Sequence, residues 1–288
     1  MSKKKYLSIL LARCFRVLTT DKLTIKFQYF HQRKKWPNFR DPKDLSEIIL
    51  SERLSPKFDK YALYADKLKV REFVRSKGLE KILLKHYGCW KRPEDIDFDR
   101  LPKKFILKAN NGCGNHVICK NKFSFNKQEA IETLKISMEK GLHHPERHYR
   151  AIVPMVFCEQ FLDTGTDEWP TDYKIQCVGG RPDHFFVASE RSSGDTKYCT
   201  FDLNWSYIPY TKHSFEPVKM PLKPQCLEEM IAYASILCSN FDYVRVDFYE
   251  FKGQVYFSEL TFTPWGGFMY SYTNDAIRLL GEKIGNRI

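Results

Sequence analysis

The chain has 288 residues, of which 43% are hydrophobic and 15% aromatic, a composition that indicates a globular protein with a substantial core and excludes a disordered one. The nine cysteines are odd in number and include no C-x-x-C pair, which favours free thiols in a reducing cytoplasm over a disulfide framework. The formal net charge of +12 is concentrated at the N-terminus.

Residues 1–40 carry almost all of the surplus charge. They contain eleven basic residues and one acid, Asp21, a surplus of ten. The basic residues are Lys3, Lys4, Lys5, Arg13, Arg16, Lys22, Lys26, Arg33, Lys34, Lys35 and Arg40. Apolar residues such as Leu7, Leu11 and Leu18 recur at helical spacing, too briefly to span a membrane and without a signal-peptide cleavage site. Such a basic amphipathic helix suits an anionic membrane surface or an acidic polymer, and equally a helix packed on the domain with a solvated basic face.

The sequence of residues 41–90 predicts mostly helical structure. Asp44, with Glu47 three positions later, forms an acidic capping box that marks a helix start, and Gly78 ends a further helical stretch. Strands are predicted at 104–108, 117–120, about 151–162, 172–178 and 183–189. An amphipathic helix is predicted over Leu227 to Cys238. Strands with segregated helices predict an α+β fold.

A glycine loop follows the predicted strand that ends at Lys108. It contains Gly112, Cys113 and Gly114; glycines let backbone N–H groups approach an anion closely, and a lysine adds a point charge for phosphate. The sequence is neither a Walker A loop nor a G-x-G-x-x-G turn that opens a helix. A phosphate-binding loop and an ordinary turn both explain this stretch, and Cys113 is interpreted as a small residue that fills the turn.

Near the C-terminus, two β-rich runs around a glycine-containing turn predict a hairpin that carries Asp247 and Glu259. A two-residue loop would pair Asp247 with Ser258 and turn Glu259 to the opposite face. A three-residue loop ending in Gly253 would pair Asp247 with Phe257 and bring Glu259 to the same face. Glycine is favoured at the last position of such a loop, which supports the second register. Two carboxylates on one face would form an oxygen-rich site suited to Mg²⁺.

Two other clusters lead to more modest interpretations. His143, His144 and His148 surround a proline in a loop, which is interpreted as a loop and not as a zinc site, since three ligands would have to converge. The turn at residues 192–194 lacks a G-x-S-x-G nucleophile elbow. Arg191, just before it, is predicted to clamp a phosphate or a carboxylate.

Taken together, these segments resemble the TupA-like ATP-grasp family of bacterial polysaccharide loci. The resemblance begins near Asp21 and extends to the C-terminus. Besides the Lys108 loop and the Asp247 hairpin, it rests on the runs Asp59-Lys60-Tyr61, Asp66-Lys67-Leu68-Lys69-Val70-Arg71-Glu72-Phe73-Val74, Asp95-Ile96-Asp97-Phe98-Asp99-Arg100-Leu101-Pro102, Asp172-Tyr173-Lys174 and Glu259-Leu260-Thr261-Phe262-Thr263-Pro264.

The resemblance implies an ATP-grasp fold, in which two α+β subdomains clamp ATP, here preceded by a basic helical N-terminal segment. Residues 1–40 would form that segment, 41–103 a helical part, 104–160 the central subdomain and 161–288 the C-terminal subdomain with the metal site.

The resemblance also implies site residues. Lys108 would contact the ATP phosphates, and the loop of Gly112, Cys113 and Gly114 would close over them. The adenine would meet the hinge segment through Glu159, Gln160, Phe161 and Leu162. The candidate catalytic cations are Lys174, Arg191 and Arg245. The candidate Mg²⁺ ligands are Asp247, Glu259 and Thr261, the last of which stands where many ATP-grasp enzymes have asparagine.

The function implied is an ATP- and Mg²⁺-dependent carboxylate–amine ligase that joins an amino acid to a uronic acid of a capsular or other surface polysaccharide. One alternative is phosphate transfer to a sugar hydroxyl. Another is a non-enzymatic module that binds nucleic acid or an acidic polymer, which leaves the Lys108 loop unexplained and lacks an RNP1 motif. The enzyme is expected in the cytoplasm, with its N-terminal segment at the inner membrane face. Asp247→Asn and Glu259→Gln are each expected to abolish turnover with the fold intact.

Overall fold

The computed structural model describes residues 21–112, 116–165, 170–189 and 196–285. Within them the helices are α1 (Asp21–Arg33), α2 (Leu45–Leu54), α3 (Ala62–Ala65), α4 (Val70–Ser76), α5 (Lys127–Leu142), α6 (Arg147–Arg150), α7 (Leu227–Cys238) and α8 (Asn274–Gly285). The strands are β1 (His86–Trp90), β2 (Phe105–Ala109), β3 (Val117–Cys119), β4 (Val156–Gln160), β5 (Asp172–Val178), β6 (Arg181–Ser189), β7 (Lys197–Phe201), β8 (Tyr207–Ile208), β9 (Tyr243–Phe251) and β10 (Gln254–Thr261).

The helical N-terminal part begins as its sequence predicts. Asp44 caps α2, and its side chain accepts a hydrogen bond of 2.9 Å from the backbone N–H of Glu47, which confirms the predicted cap. Gly78 follows α4 in the left-handed conformation with φ of +73°, which terminates helices. The prediction of helix up to residue 90 is wrong at its end, because His86–Trp90 form β1 and pair with β4; aromatic residues in this short run favour a strand.

A four-stranded antiparallel sheet, with strand order β1-β4-β2-β3, contains the strand before the glycine loop. Phe105 and Leu107 of β2 face a core that includes Leu134 of α5. Side chains alternate along a strand, so Lys108 lies on the other face, where its backbone pairs with Phe157 of β4. Strand β4 is shorter than predicted, since Pro154 lacks the N–H that a ladder needs.

A six-stranded antiparallel sheet, with strand order β10-β9-β5-β6-β7-β8, contains both candidate metal strands. One face buries Ile175, Val246 and Phe248 in a core shared with Met230 of α7. The predicted bounds of α7 are confirmed. By alternation, the residues next to these core positions project from the opposite face, which therefore carries the polar groups of the candidate site.

No helix among the described residues is long and apolar enough to cross a membrane. The amphipathic helix predicted within residues 1–20 lies outside the described residues. A helix in the basic N-terminal segment is nevertheless present, because α1 covers Asp21–Arg33.

Candidate active site

The β9–β10 hairpin brings the two predicted metal carboxylates together by a route that neither predicted register contained. Phe251 pairs with Gln254, so the loop has two residues, and the favoured three-residue loop is wrong. The ladder then shifts register between Phe257 and Glu259, and Glu259 lies opposite Asp247. A β-bulge at Ser258 therefore restores the shared face that a two-residue loop would otherwise have removed.

Asp247 lies at the centre of a buried ionic cluster. Its side chain is 1% exposed and receives hydrogen bonds from Lys174 Nζ at 2.5 Å, from Arg245 Nε at 2.7 Å and from Arg245 Nη2 at 2.6 Å. Lys174 also donates to Asp172 at 2.6 Å, on the same face of β5. Buried charges persist in folded proteins when they are paired in this way.

Glu259 extends the cluster toward the glycine loop. Arg245 Nη2 lies 3.5 Å from a Glu259 oxygen and donates to the Thr261 hydroxyl at 3.1 Å. Lys67 Nζ lies 3.1 Å from the other Glu259 oxygen and donates to the backbone carbonyl of Gly112 at 2.8 Å. Lys67 thus links Glu259 to the start of the glycine loop.

The pKa values follow from burial and these ion pairs. Burial acts to raise the pKa of Glu259, but Lys67, Arg245 and Lys174 outweigh it and hold that pKa well below its usual range. Burial opposes the charged form of Arg245, yet Asp247 raises the Arg245 pKa above its ordinary value. The pKa of Lys174 is also raised, since Asp172 and Asp247 outweigh its burial. Burial raises the pKa of the Asp247 carboxyl, and Arg245 and Lys174 act against that rise.

The charges in the cluster cancel. The acids Asp172, Asp247 and Glu259 face the bases Lys67, Lys174 and Arg245 through contacts of 2.5–3.5 Å. Among the described residues no three His, Cys, Asp or Glu side chains form a metal-binding group.

This donor set fits Mg²⁺ that is held by few protein ligands. Such an ion uses one or two carboxylates plus substrate phosphates and water, and does not need a cage made by protein alone. Glu259 is the most accessible of the candidate ligands, with 27% of its side chain exposed. Asp247 and the Thr261 hydroxyl lie beside it as further oxygen donors.

A cleft between the two sheets adjoins the ionic cluster. It contains about 310 Å³ of empty space, part of it open to solvent. Its apolar lining includes Leu84, Ile106 and Leu162, and its polar lining includes the ion pair between Lys108 and Glu159. The remaining residues of the cleft are Gln160, Phe161, Pro170 and Tyr249. Tyr249 lies two positions after Asp247 on the same face of β9, so the cleft and the cluster are continuous.

Side-chain amides fix the base of the glycine loop. Asn110 is buried and donates to Asp66 and to the Val153 carbonyl, each at 3.1 Å, while its own oxygen accepts from the Met155 N–H at 2.8 Å. Asn111 is also buried and donates to the carbonyl of Met138 at 3.0 Å. The loop therefore starts from a fixed position beside Lys108.

The structure brings most of the predicted site residues together in two groups, and three of them lie outside the described residues. It brings Lys174, Arg245, Asp247, Glu259 and Thr261 together on one sheet face, and Lys108 with Glu159, Gln160, Phe161 and Leu162 around the cleft. Cys113, Gly114 and Arg191 lie outside the described residues. Sequence reasoning gave no role to Lys67 or Tyr249. Both belong to β-strand or loop segments without a recognisable motif of their own, although Lys67 stands in a run that carried the family resemblance.

The histidines do not form a site. His148 is fully buried in α6, with neither ring nitrogen hydrogen-bonded, while His144 accepts a hydrogen bond from the Glu146 backbone.

Two antiparallel sheets enclose a cleft beside a row of acids and bases, and comparison with known proteins identifies the class of protein as ATP-grasp. The TupA-like ATPgrasp family matches residues 47–285. The chain belongs to this ATP-grasp family. The match begins at residue 47 and not near Asp21 as predicted.

A solved structure shows the same fold, and two others are similar to the chain at lower TM-scores. The D-alanine–D-alanine ligase of Helicobacter pylori is 14% identical, with a TM-score of 0.51, over 85% of this chain and 67% of that one, which confirms the predicted ATP-grasp fold. The D-alanine–D-alanine ligase of Bacillus anthracis complexed with ATP is 15% identical, with a TM-score of 0.42, over 78% and 67%. The ATP-grasp ligase PsnB with Mg, ADP and a precursor variant is 12% identical, with a TM-score of 0.44, over 84% and 66%. This chain spans about two thirds of the length of each. No curated protein matches the sequence significantly.

Proposed function

We propose that the protein is a carboxylate–amine ligase that forms an amide through an acylphosphate. The observation that carries the proposal is the row of Glu259, Asp247 and Lys174 across three neighbouring strands, flanked by Arg245 and Lys67. It sets oxygen ligands for a metal beside cations that can stabilise the charge of a transferring phosphoryl group.

ATP would bind with its adenine in the cleft, against Leu84, Ile106 and Leu162 and the backbone of the hinge segment. Lys108 and the loop of Gly112, Cys113 and Gly114 would contact the phosphates. In support of this placement, the cleft joins the ionic cluster at Tyr249, so that a nucleotide lying in it would point its phosphates toward Asp247 and Glu259. The proposed division at residues 40, 103 and 160 would then set the central subdomain around the adenine and the C-terminal subdomain around the metal.

Bound Mg²⁺, held by Glu259, Asp247 and Thr261, would neutralise phosphate charge. Lys174 and Arg245, together with Arg191, would orient the substrate carboxylate; Lys174 uses two of its three donors in the bonds to Asp172 and Asp247. One carboxylate oxygen attacks the γ-phosphorus, and the bond from that phosphorus to the ADP oxygen breaks. The amine nitrogen then attacks the acyl carbon, phosphate leaves, and the nitrogen loses one proton.

The substrates we propose are a uronic acid of a capsular or related surface polysaccharide and an amino acid as the amine. Membership of the TupA-like family supports this choice. Phosphate transfer to a sugar hydroxyl would use the same cations and metal, so it is the alternative to be tested. A non-enzymatic module for acidic polymers or nucleic acid would leave the buried row of charges without a role.

We also propose that the enzyme works in the cytoplasm at the inner face of the membrane, where it would meet a saccharide under assembly. The surplus of ten positive charges in residues 1–40 supports this location, because basic segments are attracted to anionic leaflets.

The test measures release of ADP and phosphate with a panel of uronic acids and amino acids, with Glu259→Gln as the inactive control. Hydroxylamine added with Mg-ATP and the correct carboxylate should yield a hydroxamate. A phosphate ester of a sugar in place of the hydroxamate would establish the phosphotransferase alternative. ATP turnover that no carboxylate stimulates would refute the ligase.

A further inference from the structure

The outer face of α1 is apolar, although the helix packs on the body of the protein with its other face. Leu23, Phe27 and Phe30 recur at positions i, i+4 and i+7, and Trp36 follows shortly after the helix. These four side chains are between 38% and 54% exposed. The Trp36 ring stacks on Phe30 at 4.7 Å and meets Phe27 edge-on at 5.4 Å. The four residues therefore form one assembled patch, which we call the aromatic face.

The fold holds the aromatic face outward. On the inner side of α1, Ile25 and Tyr29 pack in a core with Leu50 and Phe268, and the Tyr29 hydroxyl donates to Asp44 at 2.6 Å. The buried guanidinium of Arg33 donates to the backbone carbonyls of Phe268, Met269 and Tyr272. Turning the apolar side inward would break all of these contacts, so its exposure is a built feature of the structure.

Basic residues surround the aromatic face. Residues 21–40 contain six bases (Lys22, Lys26, Arg33, Lys34, Lys35, Arg40) and one acid, Asp21, a surplus of five. Lys22, Lys34 and Arg40 are exposed, whereas Arg33 is buried in the contacts above. The whole region lies outside residues 47–285, which match the family.

We propose that the aromatic face is the membrane-docking surface of the enzyme and that its partner is an anionic lipid bilayer. Tryptophan and phenylalanine side chains favour the boundary between headgroups and acyl chains. Each Lys or Arg near an anionic leaflet strengthens binding roughly fivefold. A soluble acidic polymer would bind the basic side chains alone, and its binding would not explain an aromatic cluster between them. The proposal rests on the membrane location proposed above but not on the ligase chemistry, so the two can fail separately.

The experiment measures co-sedimentation of the full chain with vesicles of phosphatidylcholine alone and of phosphatidylcholine mixed with phosphatidylglycerol. The wild type should bind the anionic vesicles, and raised salt should weaken that binding. The double variant Phe30→Ser/Trp36→Ser should lose at least about tenfold in affinity. Phe123→Ser is the matched control, because Phe123 is a fully exposed phenylalanine elsewhere on the protein, and it should bind like the wild type. Both variants should keep the wild-type ATP turnover, which shows that they are folded.

Two further measurements distinguish binding of a bilayer from binding of another partner at the aromatic face. The chain contains five tryptophans, so a blue shift of emission on adding anionic vesicles that disappears in Trp36→Phe would place Trp36 in the bilayer. A variant that lacks residues 1–20 should still bind and still respond to the double substitution. The proposal is overturned if the double variant binds vesicles like the wild type, if binding resides entirely in residues 1–20, or if the substitutions change only self-association or binding to a soluble polyanion.

Discussion

Replacing Asp247 with asparagine should cost stability as well as activity. The sequence predicted that both Asp247→Asn and Glu259→Gln would leave the fold intact, but the two carboxylates have different surroundings. Asp247 is 1% exposed and neutralises Lys174 and Arg245 through three hydrogen bonds of 2.5–2.7 Å. Asparagine keeps the volume but removes the charge, so two buried cations lose their shared counter-ion.

The magnitude follows from the number and burial of these contacts. Removing one partner of a buried ion pair costs about 3–5 kcal/mol. For a chain of this size that corresponds to a fall in melting temperature of roughly 6–20 °C. Glu259 is 27% exposed, with contacts of 3.1 Å and 3.5 Å to Lys67 and Arg245. Its replacement by glutamine should cost only about 1–2 kcal/mol, while still abolishing Mg²⁺-dependent turnover.

Calorimetry without nucleotide or metal measures both effects. Asp41→Asn is the matched control, since Asp41 pairs with Lys43 at the surface and its loss should change stability by less than about 0.5 kcal/mol. In the double variant Asp247→Asn/Lys174→Met the loss should be smaller than the sum of the single losses. An Asp247→Asn protein as stable as the wild type would show that Asp247 is not the counter-ion of the buried cations.

Three other predictions follow from single contacts. Lys67→Met should raise the pKa of Glu259 and move the acidic limb of the pH–rate profile upward, whereas Lys67→Arg should leave it in place, because Lys67 is the strongest influence that lowers this pKa. Burial lowers the pKa of His148 to about 3. Below pH 6.5 the unfolded state therefore binds more protons than the folded state, and the free energy of unfolding should fall by about 2 kcal/mol between pH 6.5 and 5. Denaturant unfolding at the two pH values measures this fall, and His148→Leu should abolish the share of it that His148 causes. A Cβ at Gly141 would lie 2.2 Å from the Asn111 amide, so Gly141→Ala should cost about 1–3 kcal/mol in unfolding free energy and weaken nucleotide binding through the loop base; unchanged stability would mean that Asn111 moves freely.

Local patterns predicted the elements better than the register between them. The helix Leu227–Cys238 was predicted because its apolar period is a property of the segment alone. The two-residue turn of the β9–β10 hairpin was not predicted. Lys252 and Gly253 both adopt positive φ, of 51° and 71°, as this type of turn requires. Asparagine before the glycine would have indicated this turn, whereas lysine gives no such indication. The bulge at Ser258 has no sequence signature either.

The missing part of the site depends on packing between distant segments. Lys67 and Glu259 are almost two hundred positions apart, and the contact between them forms only when α3 and the turn after it pack beside β10. No spacing rule relates two such residues. Asp247 and Glu259 were within reach of sequence reasoning because a single hairpin carries both.

Because of the bulge, strand β10 contains one residue more than its ladder with β9 needs. Ser258 is the residue without a ladder partner of its own, so its deletion would leave Phe257 opposite Phe248 and Glu259 opposite Asp247 in a regular ladder. An insertion just before Glu259 that leaves the bulge in place would put the inserted residue opposite Asp247 and the glutamate opposite Val246, on the core face. Loss of a residue and gain of a residue at nearly the same place thus have opposite consequences for catalysis, and this strand can shorten more safely than it can lengthen.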